Sequence, residues 1–249
     1  MDDIIRQYIV NLQRTLDSVL STQSGALMRG AQTLCGASLN GRNIFAFGCG
    51  HAGLLALELY YRTGGMATIN PIRAPGLCLD VDPATMTSQM ERLEGYGRVI
   101  VDNQPVGGGD VVIVHSVSGR NAVTVDVALR CREKGAYVIA LTNMQTTTRQ
   151  ASRHPCGQNL YQVADLALDN CGCLGDSSLA IDGVPEKVGP TSTAVGAAML
   201  NAMIAQAVAL IAQTGAVPPV FVSANLDGGD EHNQRVLEQY REHIFYMGR

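Results

Sequence analysis

The stretch DVVIVHSVSGRN, residues 110–121, opens on a β-branched run and turns through two serines and a glycine. A short unbroken apolar run closed by turn residues is the pattern of a strand buried on both faces, and such strands belong to parallel sheets covered by helices. Residues 121–134 are amphipathic and stop at Gly135, so the stretch predicts strand, turn and helix in succession.

The same unit recurs on either side. NIFAFG (43–48) predicts the first strand, followed by a helix over 52–63, and ATINPI (67–72) predicts the second strand. A loop holding Pro71, Pro75 and Pro83 leads to a helix around 84–95. AYVIALTN (136–143) and VADLALDN (163–170) predict the fourth and fifth strands, and residues 191–214 one long helix. After PPVFVS, a polar helix is expected over 231–247. Upstream, Ile4, Ile5, Tyr8, Ile9, Leu12, Leu16 and Leu20 fall at helical spacing; 2–21 and 25–37 predict two leading helices. Strands alternating with helices imply βαβ units and a doubly wound parallel sheet. With no linker and no long repeat, a single domain spans 1–249: a core of about 30–215, leading helices 2–37 and a C-terminal helical tail, 216–249.

Composition agrees. The chain has 249 residues, 46% hydrophobic and 16% charged, with 27 glycines and no tryptophan, which suits close helix–sheet packing. A net charge of −4 excludes a nucleic-acid binder, which needs a basic face. Cys35, Cys49, Cys78, Cys131, Cys156, Cys171 and Cys173 are odd in number and irregular in spacing, and no signal-peptide pattern precedes them. Reduced thiols in a cytoplasm are expected. The CGC at 171–173 is not CxxC, so neither a metal nor another cofactor is expected. The apolar run 197–212 is interrupted by Asn201 and Gln206 and predicts a buried helix, not a membrane span.

In such sheets ligands bind beyond the carboxyl ends of the strands, where strand order reverses. Three loops lie there. GCGHAG carries Gly48, Gly50 and Gly53, but the second strand has no terminal acidic residue for a ribose, so a dinucleotide is not expected. In SVSGRN, Ser116, Ser118 and the N–H groups of Gly119, Arg120 and Asn121 form a cradle for a phosphate or another anion. In GPTST, Thr191 and Ser192 offer a third hydroxyl set or an N-cap behind a proline.

With FGCGHAG, ELYYRTGG, SVSGRN…EKGAYVIALTN and EKVGPTSTAVG in view, the chain resembles the sugar isomerase (SIS) domain family over about residues 30–215. The resemblance implies a three-layer α/β/α, flavodoxin-like fold with a five-stranded parallel sheet and phosphosugar binding in these loops. Within the family the chain is similar to isomerases of the phosphoheptose type. MERLEGYGRVI…DVVIVHSVSGRN also resembles N-acetylmuramic acid 6-phosphate etherase. Departures are visible: Ala52 stands where the family's first loop has serine, Val117 and Asn121 replace a common threonine and serine, and 191–214 holds no histidine.

The resemblance implies a catalytic glutamate at Glu58, whose burial among Leu54, Leu55, Leu57 and Leu59 would raise its pKa toward neutrality. Otherwise Glu58 is a surface or subunit-contact residue. Glu91 and Glu94 are further acid/base candidates or solvated helix-end residues, and the etherase likeness favours Glu94. His51 reads as a ligand contact or as holding a backbone carbonyl, His115 as structural. His232 replaces the missing helix histidine if the C-terminal segment completes a neighbouring subunit's site. With Gly50, Ala52 and Glu186, these loops define the expected site of a sugar phosphate. The expected function is aldose–ketose isomerisation by proton abstraction α to a carbonyl, with an etherase-type lyase or a non-catalytic phosphosugar sensor as alternatives. The surplus of apolar helix surface predicts a homodimer or homotetramer.

Overall fold

The computed structural model describes residues 3–247. Its elements run in the order helix α1 (Ile4–Leu39), strand β1 (Ile44–Gly48), α2 (Gly53–Leu59), β2 (Ile69–Pro71), α3 (Met86–Met90), α4 (Tyr96–Asp102), β3 (Val111–His115), α5 (Ala122–Glu133) and β4 (Tyr137–Thr142). Then come α6 (Met144–Thr147), α7 (Leu160–Val163), β5 (Leu166–Asp169), the strands β6 (Ser177–Ile181) and β7 (Val184–Pro190), α8 (Ser192–Gln213) and α9 (Gly229–Gln239).

Five strands form one parallel sheet in the order β2-β1-β3-β4-β5. Period-two alternation sends neighbouring residues of each strand to opposite faces. Ile44, Ala46, Val111, Ile113, Ile139 and Leu141 pack beneath α1, α2 and α8. Phe45, Phe47, Val112, Val114, Val138 and Ala140 pack beneath α4, α5 and α7. Two covered faces explain why these strands read as unbroken apolar runs. On the second face α4 crosses α5 closely: a Cβ at Gly97 would run into Asp126 and the Val123 carbonyl.

The α/β/α class and all five sheet strands agree with the sequence reading, while several helices differ from it. The two leading helices are one 36-residue helix, α1. The gap at 22–24 is carried through because Val19, Ala31, Leu34 and Cys35 hold one buried stripe across it. Residue 2 lies outside the described range. The helix expected over 52–63 ends at Leu59, where Tyr60 turns extended and Tyr61 takes a φ of 45°. The helix expected over 84–95 ends at Met90, and Gly95, left-handed at φ 79°, starts a separate α4. The final helix stops at Gln239.

The segment between the fifth strand and the long helix, for which no element was expected, contains an antiparallel hairpin, β6–β7, outside the main sheet. Its outer strand is exposed, and it is fastened to α1 by the Tyr8 hydroxyl donating to the Pro190 carbonyl (2.9 Å) and the Asn11 amide donating to the Ser178 carbonyl (3.1 Å). Helix α8 is long and apolar enough to cross a membrane by length and composition, but it buries Val195, Met199, Leu200, Met203, Ile204, Ala207 and Ile211 within the protein.

Candidate functional site

Strand order reverses between β1 and β3, which both end at the predicted loops. After β1 the chain folds into a 3-10 turn over Gly50–Ala52. A side chain at Gly48 would strike the Ala52 carbonyl, and Gly50 is left-handed at φ 55°, so glycine is required at both positions. The same Ala52 carbonyl lies 3.1 Å from His115 Nδ1, which joins the two loops. His115 is 2% exposed, and burial pushes its pKa down to about 4. The ring is therefore neutral at pH 7, with the Nδ1 proton donated to Ala52. Its Nε2 is buried without a hydrogen-bond partner. His51 sits on the exposed side of the turn.

After β3, the Ser116 N–H donates to Leu141 and the Ser116 hydroxyl accepts from the Gly119 N–H at 3.1 Å. Gly119 is left-handed at φ 61°, and a Cβ there would press on the hydroxyls of Thr147 and Thr142. Asn121 precedes the first turn of α5, and no side chain caps that helix end. Arg153 braces the loop: its backbone N–H donates to the Arg120 carbonyl (2.8 Å) and its guanidinium to Asn121 Oδ1 (2.9 Å). Arg120 reaches Gln150 while its Nε stays buried without a partner.

Glu91 joins this group. Its carbonyl accepts from the Val123 N–H at the start of α5 (3.1 Å), which carries its half-buried carboxyl to Asn121. Burial raises the carboxyl above its ordinary pKa, and the Asn121 side chain, Arg92 and Arg153 pull the other way without cancelling the shift. Burial, with the Glu91 charge adding to it, pushes the Cys49 thiol up to about 12. A carboxyl whose pKa is raised beside an anion cradle is suited to proton transfer.

The third loop is occupied by the chain itself. Asp176, left-handed at φ 68°, directs its carboxylate at the N-terminus of α8. Oδ1 accepts from the N–H groups of Thr191 (3.1 Å) and Ser192 (2.8 Å), and Oδ2 from the Ser192 hydroxyl (2.6 Å). Thr191 and Ser192 are thus spent on a carboxylate from 15 and 16 residues away. A carboxylate at this position satisfies the helix's free N–H groups and its dipole.

Other expected residues lie elsewhere. Glu58 is not enclosed by leucine: Leu54 and Leu57 are exposed, and its carboxylate pairs with Arg62 and accepts from Asn201 Nδ2 at 3.1 Å. A 3.6-residue turn splits consecutive leucines between faces, so only Leu55 and Leu59 reach the core. Glu94 is exposed at the turn before Gly95; of the two glutamates it is Glu91 that meets the loop. His232 lies 3.0 Å from the Val220 carbonyl, in a C-terminal segment packed on residues 64–67. Glu186 is exposed on β7. The sequence reading missed Arg153 and Asp176; the Gly175-Asp176 pair signals a turn, but not the helix it reaches. Among the described residues no group of His, Cys, Asp and Glu gathers to hold a metal ion.

A model of the SIS domain matches residues 7–143. A UPF0309 protein of Oceanobacillus iheyensis is 40% identical over 243 residues, 98% of this chain and 99% of its own. A UPF0309 protein of Streptomyces coelicolor is 43% identical over 208 residues, 83% of each chain. Among solved structures, a phosphoheptose isomerase from Francisella tularensis superposes with a TM-score of 0.53 at 16% identity, over 82% of this chain and 96% of its own. A phosphoheptose isomerase from Neisseria gonorrhoeae gives 0.51 at 14%, over 82% and 97%. At that identity these two establish the fold, a five-stranded parallel α/β/α layer with its loops gathered at one edge. With the domain model and the full-length relatives beside them, the chain belongs to the SIS-domain family and, within it, to the UPF0309 proteins.

Proposed function

We propose that this protein binds an open-chain sugar phosphate at the β1–β3 crevice and isomerises it between aldose and ketose. The observation that carries this reading is the SVSGRN turn with the Glu91 carboxyl against it: a helix start with no side-chain cap and two serines for the phosphate, and a carboxyl of raised pKa for the proton. Ser116, Ser118 and the N–H groups of Arg120 and Asn121 hold the phosphate, and the Gly119 N–H fixes the Ser116 hydroxyl. Glu91 takes the proton from the carbon α to the carbonyl and returns it to the old carbonyl carbon, while the α-hydroxyl proton passes to the old carbonyl oxygen through the enediol. His115 stays neutral and keeps the two loops in register through Ala52.

Glu58 is the alternative base. It stands five residues into α2, about 7 Å from the start of that helix at ~1.5 Å per residue. Its pairing with Arg62 and Asn201 favours a second reading, a non-catalytic phosphosugar sensor with this carboxylate in a structural role. Proton–deuterium exchange at C2 of a bound sugar phosphate separates the two readings. Glu91→Gln lowers exchange by about 10²-fold or more with affinity retained, and Glu58→Gln leaves it near the starting rate. The reverse pattern returns the role to Glu58, and no exchange in the unaltered protein selects the sensor.

The exposed Ile5, Ile9 and Leu20 of α1, with Leu54 and Leu57 of α2, support a homodimer or homotetramer. A mass of 26.4 kDa in light scattering at micromolar concentration would defeat that reading.

A further inference from the structure

A cleft of about 540 Å³ opens over the carboxyl ends of β4 and β5, between α1 and the β6–β7 hairpin. Of the residues that the sequence offered for the sugar phosphate it is lined by Thr191 alone, and by none of those proposed above to hold it. Arg14 from α1 and Lys187 from β7 line it, and neither forms a salt bridge among the described residues. Asp169 is fixed on the floor, its Oδ1 accepting from the N–H groups of Met144 (2.9 Å) and Cys171 (3.0 Å). Gln145 and Thr15 add neutral polar groups, and no lining residue is aromatic.

These features select a ligand class. Two unpaired cations suit one dianionic group, a phosphate monoester, better than a single carboxylate. The fixed carboxylate repels a bare anion close to it but accepts hydrogen bonds from hydroxyls, so the phosphate needs a polyol attached. Without an aromatic platform a nucleobase has nothing to stack on. The volume lies within the range of small-molecule sites. We infer that this cleft is a second, separate binding site for a phosphorylated polyol, held by Arg14 and Lys187 at the phosphate and by Asp169 at the hydroxyls. A ligand there bridges α1 to the hairpin and touches Thr191 at the start of α8.

Cys171 and Cys173 line the cleft and Cys156 lies exposed outside it, which supplies an internal control. Alkylation of the full-length protein is followed residue by residue with glucose 6-phosphate, glucosamine 6-phosphate, ribose 5-phosphate, inorganic phosphate or sorbitol present. At least one sugar phosphate slows alkylation of Cys171 and Cys173 but not Cys156, while inorganic phosphate and sorbitol do not. The double variant Arg14→Ala/Lys187→Ala, altered only at exposed side chains, loses the protection and binds that sugar phosphate at this cleft at least about tenfold more weakly. Ser118→Ala keeps the protection. No protection by any of the three sugar phosphates, equal protection by inorganic phosphate, or protection that survives the double variant overturns the inference. Protection lost in Ser118→Ala but kept in the double variant also overturns it and assigns the effect to the crevice. Protection kept in Ser118→Ala with crevice affinity unchanged by that variant counts against the proposed crevice and leaves this cleft standing.

Discussion

Two helices begin at the carboxyl edge of the sheet, and both are preceded by hydroxyl-bearing turns, SVSGRN before α5 and GPTST before α8. In sequence they look alike. In the fold one keeps free N–H groups and the other is closed: no side chain caps α5, where only a backbone carbonyl, that of Glu91, meets the Val123 N–H, whereas Asp176 places three charge-assisted hydrogen bonds on the first residues of α8. A helix start whose N–H groups are already satisfied gains little from an external anion. The same local chemistry therefore serves ligand binding at one helix and stability at the other, and a residue 15 positions upstream makes the difference.

The largest effect expected comes from His115, which sits between the two helix starts. Its value in the fold, about 4, lies below the ordinary 6.5. Between those pH values the unfolded chain binds more protons than the native one, so stability falls as pH drops through that window. The full loss is about 3 kcal/mol from the size of the shift. Glu91, raised in the fold, acts in the opposite sense, so the His115 share is read as a difference. Denaturant midpoints measured from pH 7 to pH 4 fall more steeply in the unaltered protein than in His115→Gln. Equal slopes would remove His115 as the cause.

Asp176→Ala comes next. Losing the carboxylate from α8 costs about 2 kcal/mol, the scale of a charged helix cap, or roughly 4–8 °C in melting temperature for a chain of this size. The variant also frees the N–H groups of Thr191 and Ser192, so its melting temperature rises with added phosphate or sulfate more than that of the unaltered protein. A variant that melts normally and ignores anions would erase the contrast between the two helices. Ser118→Ala tests the open side: sugar-phosphate affinity drops by about 1–2 kcal/mol, read by calorimetry, with little change in melting temperature. The smallest effect is reserved for Glu94→Gln, an exposed change expected to shift stability by less than ~0.5 kcal/mol and to leave C2 exchange intact.

The sheet was legible because its three central strands, β1, β3 and β4, are covered on two faces, and double burial leaves an unbroken apolar word in the sequence. The hairpin leaves none: β7 reads VPEKVGP and is exposed along most of its length, and β6 buries only Leu179. The SVSGRN loop was legible for a related reason, since its serines and glycine act where they stand. Asp176 acts on residues distant in sequence, through a left-handed backbone that asparagine and aspartate tolerate but do not advertise. Glu91 and Glu94 are three positions apart in a segment that the sequence read as one helix. The break at Gly95, and the turn of α4 onto α5 that follows, settle which of them meets Asn121.

The fastening of α1 to the hairpin also bears on how the chain is made. Tyr8 reaches Pro190 across 182 positions, and the helix that covers the other side of α1 begins only at Ser192. A chain emerging from the ribosome therefore releases α1 about 150 residues ahead of α8. Until α8 has been synthesised, Leu12, Leu16, Val19, Leu27 and Leu34 have no mate on that side. Contacts so distant in sequence slow folding, and this nascent helix is the segment on which a chaperone holding the unfinished chain would act.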